Sequence, residues 1–134
     1  MKLILIAVLM GLTVLFITSS CATAPKSLAQ GELRLLSMQA PENKIIKANI
    51  PFEVNFNFEA AGEPEIKGAC FYFDDDGPHC FKVTSVNYGP PGTIQAQILA
   101  KNRGSRRLGG YVLYIRDGKA QSTDVISIYF SVIP

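Results

Sequence analysis

Residues 50–59 read IPFEVNFNFE, and this stretch decides the class of fold. From Phe52 to Phe58 every second residue is apolar, and the residues between them are Glu or Asn. Because successive side chains of a strand point to opposite faces, one face of this segment is apolar and the other is polar. The pattern predicts an antiparallel strand with one buried and one wet face. The side chains expected inside are those of Phe52, Val54, Phe56 and Phe58.

The same period of two recurs further along the chain, in residues 93–101 and 125–133. The side chains expected inside are Ile94, Ala96, Ile98 and Ala100 in the first segment, and Ile126, Ile128, Phe130 and Val132 in the second. Further strands are predicted at residues 33–39, 65–73, 80–87 and 110–116. Gly, Pro and Asp separate these segments and favour turns. The chain after the first twenty residues therefore reads as about seven short strands.

Length and composition narrow the class of protein. A chain of 134 residues, 48% hydrophobic and 18% charged, allows one modest domain and excludes a two-domain enzyme. This apolar fraction, with a net charge of only +2, also excludes a disordered chain. Short strands at this spacing predict an all-β fold with a single antiparallel two-sheet sandwich. An immunoglobulin-like Greek key is the simplest form, and a transthyretin-like sandwich is the alternative.

Residues 109–113, GGYVL, resemble the tyrosine corner that opens strand F of immunoglobulin-like domains. Leu113 stands where antibody domains place a cysteine, as it does in many bacterial relatives. The resemblance implies that a strand begins close to Tyr111.

The first twenty residues read as a targeting segment. Lys2 is followed by an uncharged apolar run at 3–17, by small residues at 18–20 and by Cys21. These are the parts of a secretory signal peptide, which we expect to form a helix. The apolar run is shorter than the roughly 20 residues that span a bilayer. Extending it to residue 24 gives a marginal span, so an uncleaved anchor is the alternative.

Residues 17–21, ITSSC, resemble the lipobox of bacterial lipoproteins, with small Ser20 directly before the cysteine. The resemblance implies cleavage before Cys21, attachment of diacylglycerol to its sulfur, and acylation of the new amine, for example by palmitate. Ala22 is not the aspartate that retains such proteins at an inner membrane, which favours the outer membrane. The predicted division is a signal peptide at 1–20, the lipidated cysteine and a flexible tether at 21–32, and a sandwich domain at 33–134.

Three cysteines in an exported protein leave one without a disulfide partner, and lipidation of Cys21 would account for that cysteine. Cys70 and Cys80 then remain as one pair in an oxidising compartment. They lie five residues before and five residues after Asp75, so a hairpin centred there would place them opposite each other. We therefore predict a Cys70–Cys80 disulfide, which would contribute just under about 3 kcal/mol.

Between these cysteines, Asp74, Asp75 and Asp76 form a run of carboxylates that a bound cation could neutralise. The spacing of an EF-hand is absent, and successive side chains of a strand diverge. A solvated acidic turn is therefore favoured over a metal site. His79 is the single histidine, and no nucleophile motif, phosphate loop or zinc motif accompanies it. We expect no enzymatic activity, no catalytic residue and no cofactor.

The other charged segment is basic and lies at 101–107, in a predicted loop between two strands. Its cations are Lys101, Arg103, Arg106 and Arg107. The only acids after residue 80 are Asp117 and Asp124, so we expect these cations to lack nearby partners. They could contact an anionic surface close to the lipid anchor, and a merely solvated loop is the alternative. Nucleic acid is not an expected partner of an exported lipoprotein.

These observations predict a lipid-anchored lipoprotein of the cell envelope that acts as a structural or protein-interaction module. Its expected partners are the membrane, through the N-terminal lipid, and an envelope protein that docks on a sheet face, an edge or a loop. The alternative is a periplasmic module that binds a small ligand or a cation through the acidic hairpin or a pocket between the sheets. No cluster of polar groups lies within an apolar pattern, which favours the first function.

Overall fold

The computed structural model of the protein describes residues 27–41 and 43–134. The predicted signal peptide and Cys21 lie outside the described residues. The strands are β1 (Leu33–Gln39), β2 (Ile45–Lys47), β3 (Phe52–Ala60), β4 (Glu65–Phe73), β5 (Asp76–Phe81), β6 (Ser85–Asn87), β7 (Gly92–Ile98), β8 (Gly104–Arg116), β9 (Lys119–Ser122) and β10 (Ile126–Ile133). In this part of the chain no helix is long and apolar enough to cross a membrane.

The alternating segments form the central strands of the core, as predicted. The four inward side chains expected in β3 are all 8% exposed or less, and those expected in residues 93–101 are 2% exposed or less. In β10, Phe130 and Val132 are buried, whereas Ile126 and Ile128 are only half-buried and pack at the edge of the core. The period of two therefore identified the buried faces correctly.

The strands form two sheets that pack face to face. The first sheet has the order β1–β3–β7–β6, and the second has the order β2–β10–β8–β4–β5, with β9 also paired to β8. Phe56 of the first sheet stacks on Phe71 of the second, with ring centroids 5.7 Å apart. These strand orders are those of the immunoglobulin-like Greek key, in which strands A, B, E and D face strands C, F and G. The predicted two-sheet sandwich is confirmed.

The sandwich has more strands than predicted, and one of its pairings is parallel. β2 pairs in parallel with the end of β10, so the second sheet is mixed rather than purely antiparallel. β9 pairs with the last residues of β8. β2 and β9 have three and four residues, and so short a strand shows no clear period of two. The same limit explains a second error: residues 80–87, predicted as one strand, form β5 in the second sheet and β6 in the first.

β8 begins earlier than predicted, at Gly104, so Arg106 and Arg107 lie in a strand and not in a loop. Tyr111 consequently lies in the middle of β8, paired with Cys70, and not close to the start of the strand. The prediction of a tyrosine corner at this residue is therefore wrong. The strand starts early because residues 104–110 pair with β10, a partner that the local sequence does not reveal.

The two ends of the sandwich are distinct. Leu33 pairs with Ala60 at one end, which we call proximal, whereas Phe52 pairs with Ile98 at the other, distal end. The nine residues of β3 separate the two ends by about 30 Å, at roughly 3.3 Å per residue. At the proximal end the N–H of Gly31 donates to the carbonyl of Ala61 at 2.8 Å. The last residues of the predicted tether therefore belong to the domain.

Candidate functional site

The β4–β5 hairpin carries the predicted disulfide. Cys70 is paired in register with Cys80, and their sulfur atoms are 2.04 Å apart. Phe73 pairs with Asp76, which leaves Asp74 and Asp75 at the tip of the hairpin. Cys70 is fully buried, whereas Cys80 lies on the exposed edge strand. The disulfide therefore ties the edge strand β5 to the interior strand β4.

The acidic tip of this hairpin is held by the basic start of β8. The N–H of Arg107 donates to Asp74 Oδ1 at 3.0 Å, and the N–H of Asp74 donates to the Arg107 carbonyl at 2.8 Å. Arg106 Nη1 lies 3.2 Å from Asp74 Oδ2, and Arg107 Nη2 lies 3.3 Å from Asp75 Oδ1. The backbone N–H of Arg107, followed by the Arg106 side chain, holds the pKa of the Asp74 carboxyl below its ordinary value of 3.8.

These ion pairs correct the expectation that the cations of the basic segment lack nearby partners. Arg106 and Arg107 do have carboxylate partners, because the hairpin tip lies about thirty residues earlier in the chain but beside them in space. Asp74 and Asp75 are directed at guanidinium groups, and the described residues contain no cluster of three or more His, Cys, Asp or Glu that could hold a metal ion. The acidic turn is therefore paired with arginine.

Lys101 and Arg103 lie in the connection between β7 and β8, and both are exposed. The Arg103 carbonyl accepts a hydrogen bond from Arg106 Nη2. This connection follows Ile98, so the whole basic segment lies at the distal end. The segment and residues 27–32 therefore lie at opposite ends of the sandwich. Contact of the four cations with an anionic surface stays a prediction.

The outer faces of the two sheets differ in chemistry. On the first sheet Arg34 pairs with Glu59 at 2.9 Å, and Asn57 donates to the hydroxyl of Ser37 at 2.8 Å. This face also carries the exposed Gln97. It has the polar character that an outer face in water normally shows.

The outer face of the second sheet combines exposed apolar side chains with polar ones, and its centre is a surface that we call the tyrosine face. It comprises Tyr72, Gly109, Tyr111, Val125, Ser127 and Tyr129. Tyr129 is 70% exposed and Val125 is 52% exposed. The rings of Tyr72 and Tyr111 are 6.1 Å apart. Burial, followed by the neighbouring Tyr72, raises the pKa of the Tyr111 hydroxyl above its ordinary value of 10.0.

A shallow depression of about 340 Å³ lies on the tyrosine face at Gly109. A Cβ atom at Gly109 would meet Val125 Cγ1 at 3.2 Å and Tyr72 Cβ at 3.7 Å, so the absence of a side chain creates the depression. Gly110, the next residue, points the other way, into the core. A Cβ atom there would lie 2.8 Å from Phe56 Cζ and from Met38 Sδ. Packing of the fold therefore requires Gly110, whereas it does not require Gly109.

A second cavity, which we call the distal cleft, opens between the sheets at the distal end. Its volume is about 440 Å³. Its apolar wall is formed by Phe73, Phe81, Leu99 and Ala100, and its charged and polar rim by Asp74, Asp76, His79, Lys101, Asn102 and Arg106. Phe81 pairs with the buried Ala69 and contacts Phe71, yet it is 36% exposed. The opposing edge strand β6 has only three residues, which leaves the inner side of β5 uncovered.

His79, for which the sequence predicts no role, lies on the rim of the distal cleft, with Nε2 3.2 Å from Asp76 Oδ2. The sequence allows for a sheet face and for a pocket between the sheets, but it does not identify the residues that form the tyrosine face or the distal cleft. The available signal was weak: outward positions of β8 and β10 carry Tyr, Gly and Val where those of β3 carry Asn and Glu. That signal has meaning only once the pairing of the strands is known.

Comparisons with known proteins add little to this geometry. No protein family model matches the chain, and no curated protein matches it. Among solved structures, it is similar to a cohesin module from a family 33 glycoside hydrolase of Clostridium perfringens ATCC13124. The identity is 14%, the TM-score is 0.34, and the match covers 71% of this chain and 94% of the cohesin module. So distant a likeness carries no argument about function, which has to come from the surfaces described above.

Proposed function

We propose that this protein is a lipid-anchored lipoprotein of the bacterial cell envelope, favouring the outer membrane, and that it serves as a protein-interaction module. The residues ITSSC at 17–21 support the anchor, because they resemble a lipobox. The Cys70–Cys80 disulfide supports an oxidising compartment, since disulfides persist mainly outside the cytosol. The role proposed is binding and not catalysis.

The observation that carries the interaction role is the tyrosine face. Contiguous apolar surface on a soluble domain marks interaction sites, and Tyr is enriched at their centres. Tyr129 and Val125 are exposed here, whereas the first sheet carries the Arg34–Glu59 ion pair on its outer face and exposes Leu36 at the bulge of β1. The two faces belong to one domain in one solvent, so the contrast between them indicates a specific use of the second.

Gly109 strengthens this argument. Glycine in the interior of a strand lowers stability, and it often marks a place where another molecule approaches the backbone closely. Gly109 lies within β8 without a positive φ, and its Cβ position is free of backbone contacts. A side chain at position 109 would displace Val125 and fill the depression beside Tyr72, so the glycine leaves this depression open to a docked partner.

The partner would be an envelope protein that presents an apolar side chain to this depression. Arg107 and Asp75 lie at its edge and would supply charged contacts at the rim of the interface. The tyrosine face runs along the side of the sandwich, so a proximal anchor would leave it accessible.

Photo-crosslinking in intact cells tests this proposal. We would replace Tyr129 by benzoylphenylalanine, and Gln97 on the opposite outer face as the matched control. We expect one discrete adduct from position 129, none from position 97, and loss of the adduct when Gly109→Phe fills the depression. Equal adducts from both positions, or an adduct unaffected by Gly109→Phe, would contradict docking on this face.

The anchor is tested separately with Cys21→Ser. We expect this variant to lose metabolic labelling by fatty acid and to leave the membrane fraction. If it stays in the membrane, the uncleaved helix is the better account of residues 1–24. This result is independent of the crosslinking, so the anchor and the docking face can fail separately.

A further inference from the structure

We infer that the distal cleft is a binding site for a small aromatic carboxylate. The inference does not depend on the tyrosine face, which lies on the outer side of the second sheet, whereas the cleft lies on its inner side. It rests on the shape of the cavity, its aromatic wall and the pairing of the charges on its rim.

The shape and the wall favour a small ligand with an apolar body. A volume of about 440 Å³ is in the range of small-molecule sites, which extend from roughly 300 to 1,000 Å³. Such sites are lined mainly by apolar and aromatic side chains, with a few polar groups that set orientation. Phe73 and Phe81 both belong to the lining, and Phe81 remains partly exposed on the inner side of its sheet. An aromatic ring placed against them would gain offset or edge-to-face contacts.

The charges on the rim select the head group. Asp74 forms an ion pair with Arg106, and Asp76 Oδ2 lies 3.2 Å from His79 Nε2. Each of the three nitrogens of the Arg106 guanidinium already donates a hydrogen bond within the protein: Nη1 to Asp74, and Nε and Nη2 to the carbonyls of Asn102 and Arg103. Lys101 differs from the other charged groups of the rim: within the described part of the chain, it has no ion pair. An ammonium group beside an apolar wall attracts a carboxylate, through a charge-assisted hydrogen bond.

Arg106 braces the two sides of the cleft rim. Its guanidinium joins the tip of the β4–β5 hairpin to the β7–β8 connection, and these two segments carry the opposite sides of the rim. A site held open in this way requires little ordering when a ligand binds, which is the condition for useful affinity in a small cavity.

The test uses the full-length protein in phosphatidylcholine vesicles and 3-(4-fluorophenyl)propionate as the probe, observed by fluorine NMR. Vesicles without protein correct for partitioning into lipid. We expect saturable binding, and at least about tenfold weaker binding of 3-(4-fluorophenyl)propan-1-ol, which corresponds to about 1.4 kcal/mol. Lys101→Gln should weaken binding of the carboxylate by a similar factor. Lys119→Gln is the matched control, because Lys119 is an exposed lysine at the proximal end.

Charge reversal makes the test independent of any loss of folding. Lys101→Glu should abolish binding of the carboxylate and create binding of 3-(4-fluorophenyl)propylamine, a gain that a misfolded protein cannot show. The inference is overturned if the carboxylate and the alcohol bind equally, if Lys119→Gln weakens binding as much as Lys101→Gln, or if the wild type does not bind the carboxylate saturably.

Discussion

Replacing the adjacent glycines Gly109 and Gly110 of β8 by alanine, one at a time, should have different effects on the free energy of unfolding. Gly110→Ala would place its Cβ atom 2.8 Å from Phe56 Cζ and 2.8 Å from Met38 Sδ. Carbon atoms in contact prefer separations of about 3.5–4.0 Å, so these neighbours would have to move. Met38 can adjust its flexible end, but the Phe56 ring is fully buried and stacked on Phe71.

The expected magnitude follows from two opposing terms. Overfilling a packed core costs about 1–3 kcal/mol. Replacement of Gly by Ala stabilises the folded state by about 0.4–1 kcal/mol, because it restricts the unfolded chain. The difference between these two terms spans about 0–2.6 kcal/mol, and its midpoint near 1.3 kcal/mol corresponds to a fall in melting temperature of roughly 5–10 °C for a domain of this size.

Gly109→Ala restricts the unfolded chain in the same way, but its Cβ atom does not meet the buried Phe56 ring. Its Cβ atom would meet Val125 Cγ1 at 3.2 Å, but Val125 is exposed and can move aside. We expect this variant to be neutral or to gain up to about 1 kcal/mol. Urea unfolding of the purified protein, followed by far-ultraviolet circular dichroism, compares the two midpoints at an unchanged slope. Equal destabilisation by both variants, or none by Gly110→Ala, would refute the facing of β8 and with it the tyrosine face.

Three further predictions concern the core, the hairpin tip and the disulfide. Phe56→Ala should cost about 3–5 kcal/mol, while replacement of the exposed Glu53 by Ala on the outer face should change the unfolding free energy by less than about 0.5 kcal/mol; comparable losses would contradict the facing of β3. Because the pKa of Asp74 is lowered in the folded protein, its contribution to stability is present above about pH 4 and is lost as the pH falls below about 4. Urea titrations should therefore show that the unfolding free energy falls more steeply with acid in the wild type than in Asp74→Asn, and parallel curves would contradict the ion pair. Joint replacement of Cys70 and Cys80 by Ser should lower stability by just under about 3 kcal/mol, and a reductant should then have no further effect on melting, whereas it lowers the melting temperature of the wild type.

The sequence by itself determined the fold class, because alternation is a local property of the chain. Phe52 to Phe58 show which side chains face inward without any knowledge of the partner strand. The hairpin between Cys70 and Cys80 was equally predictable, since its two strands are neighbours in the chain and Asp75 lies midway between the cysteines. Short edge strands escaped prediction because three or four residues are too few to display a period.

The partners of the charged residues could not be predicted in this way. Arg106 and Asp74 are 32 residues apart, and they meet only because β4 and β8 are neighbours in the second sheet. A count of acids close in sequence to residues 101–107 therefore missed the two carboxylates that hold Arg106 and Arg107. Strand pairing brings distant segments together, and a local pattern holds no information about that pairing.

The two candidate sites depended on tertiary structure for the same reason. The tyrosine face combines Tyr72 of β4, Gly109 of β8 and Tyr129 of β10, each of which is an isolated outward residue in its own strand. The distal cleft exists because β5 and β6 are edge strands of opposite sheets and do not cover each other. Periodicity along a strand determines which side chains are buried, but the order of the strands decides which exposed side chains become neighbours and where the sandwich is left open.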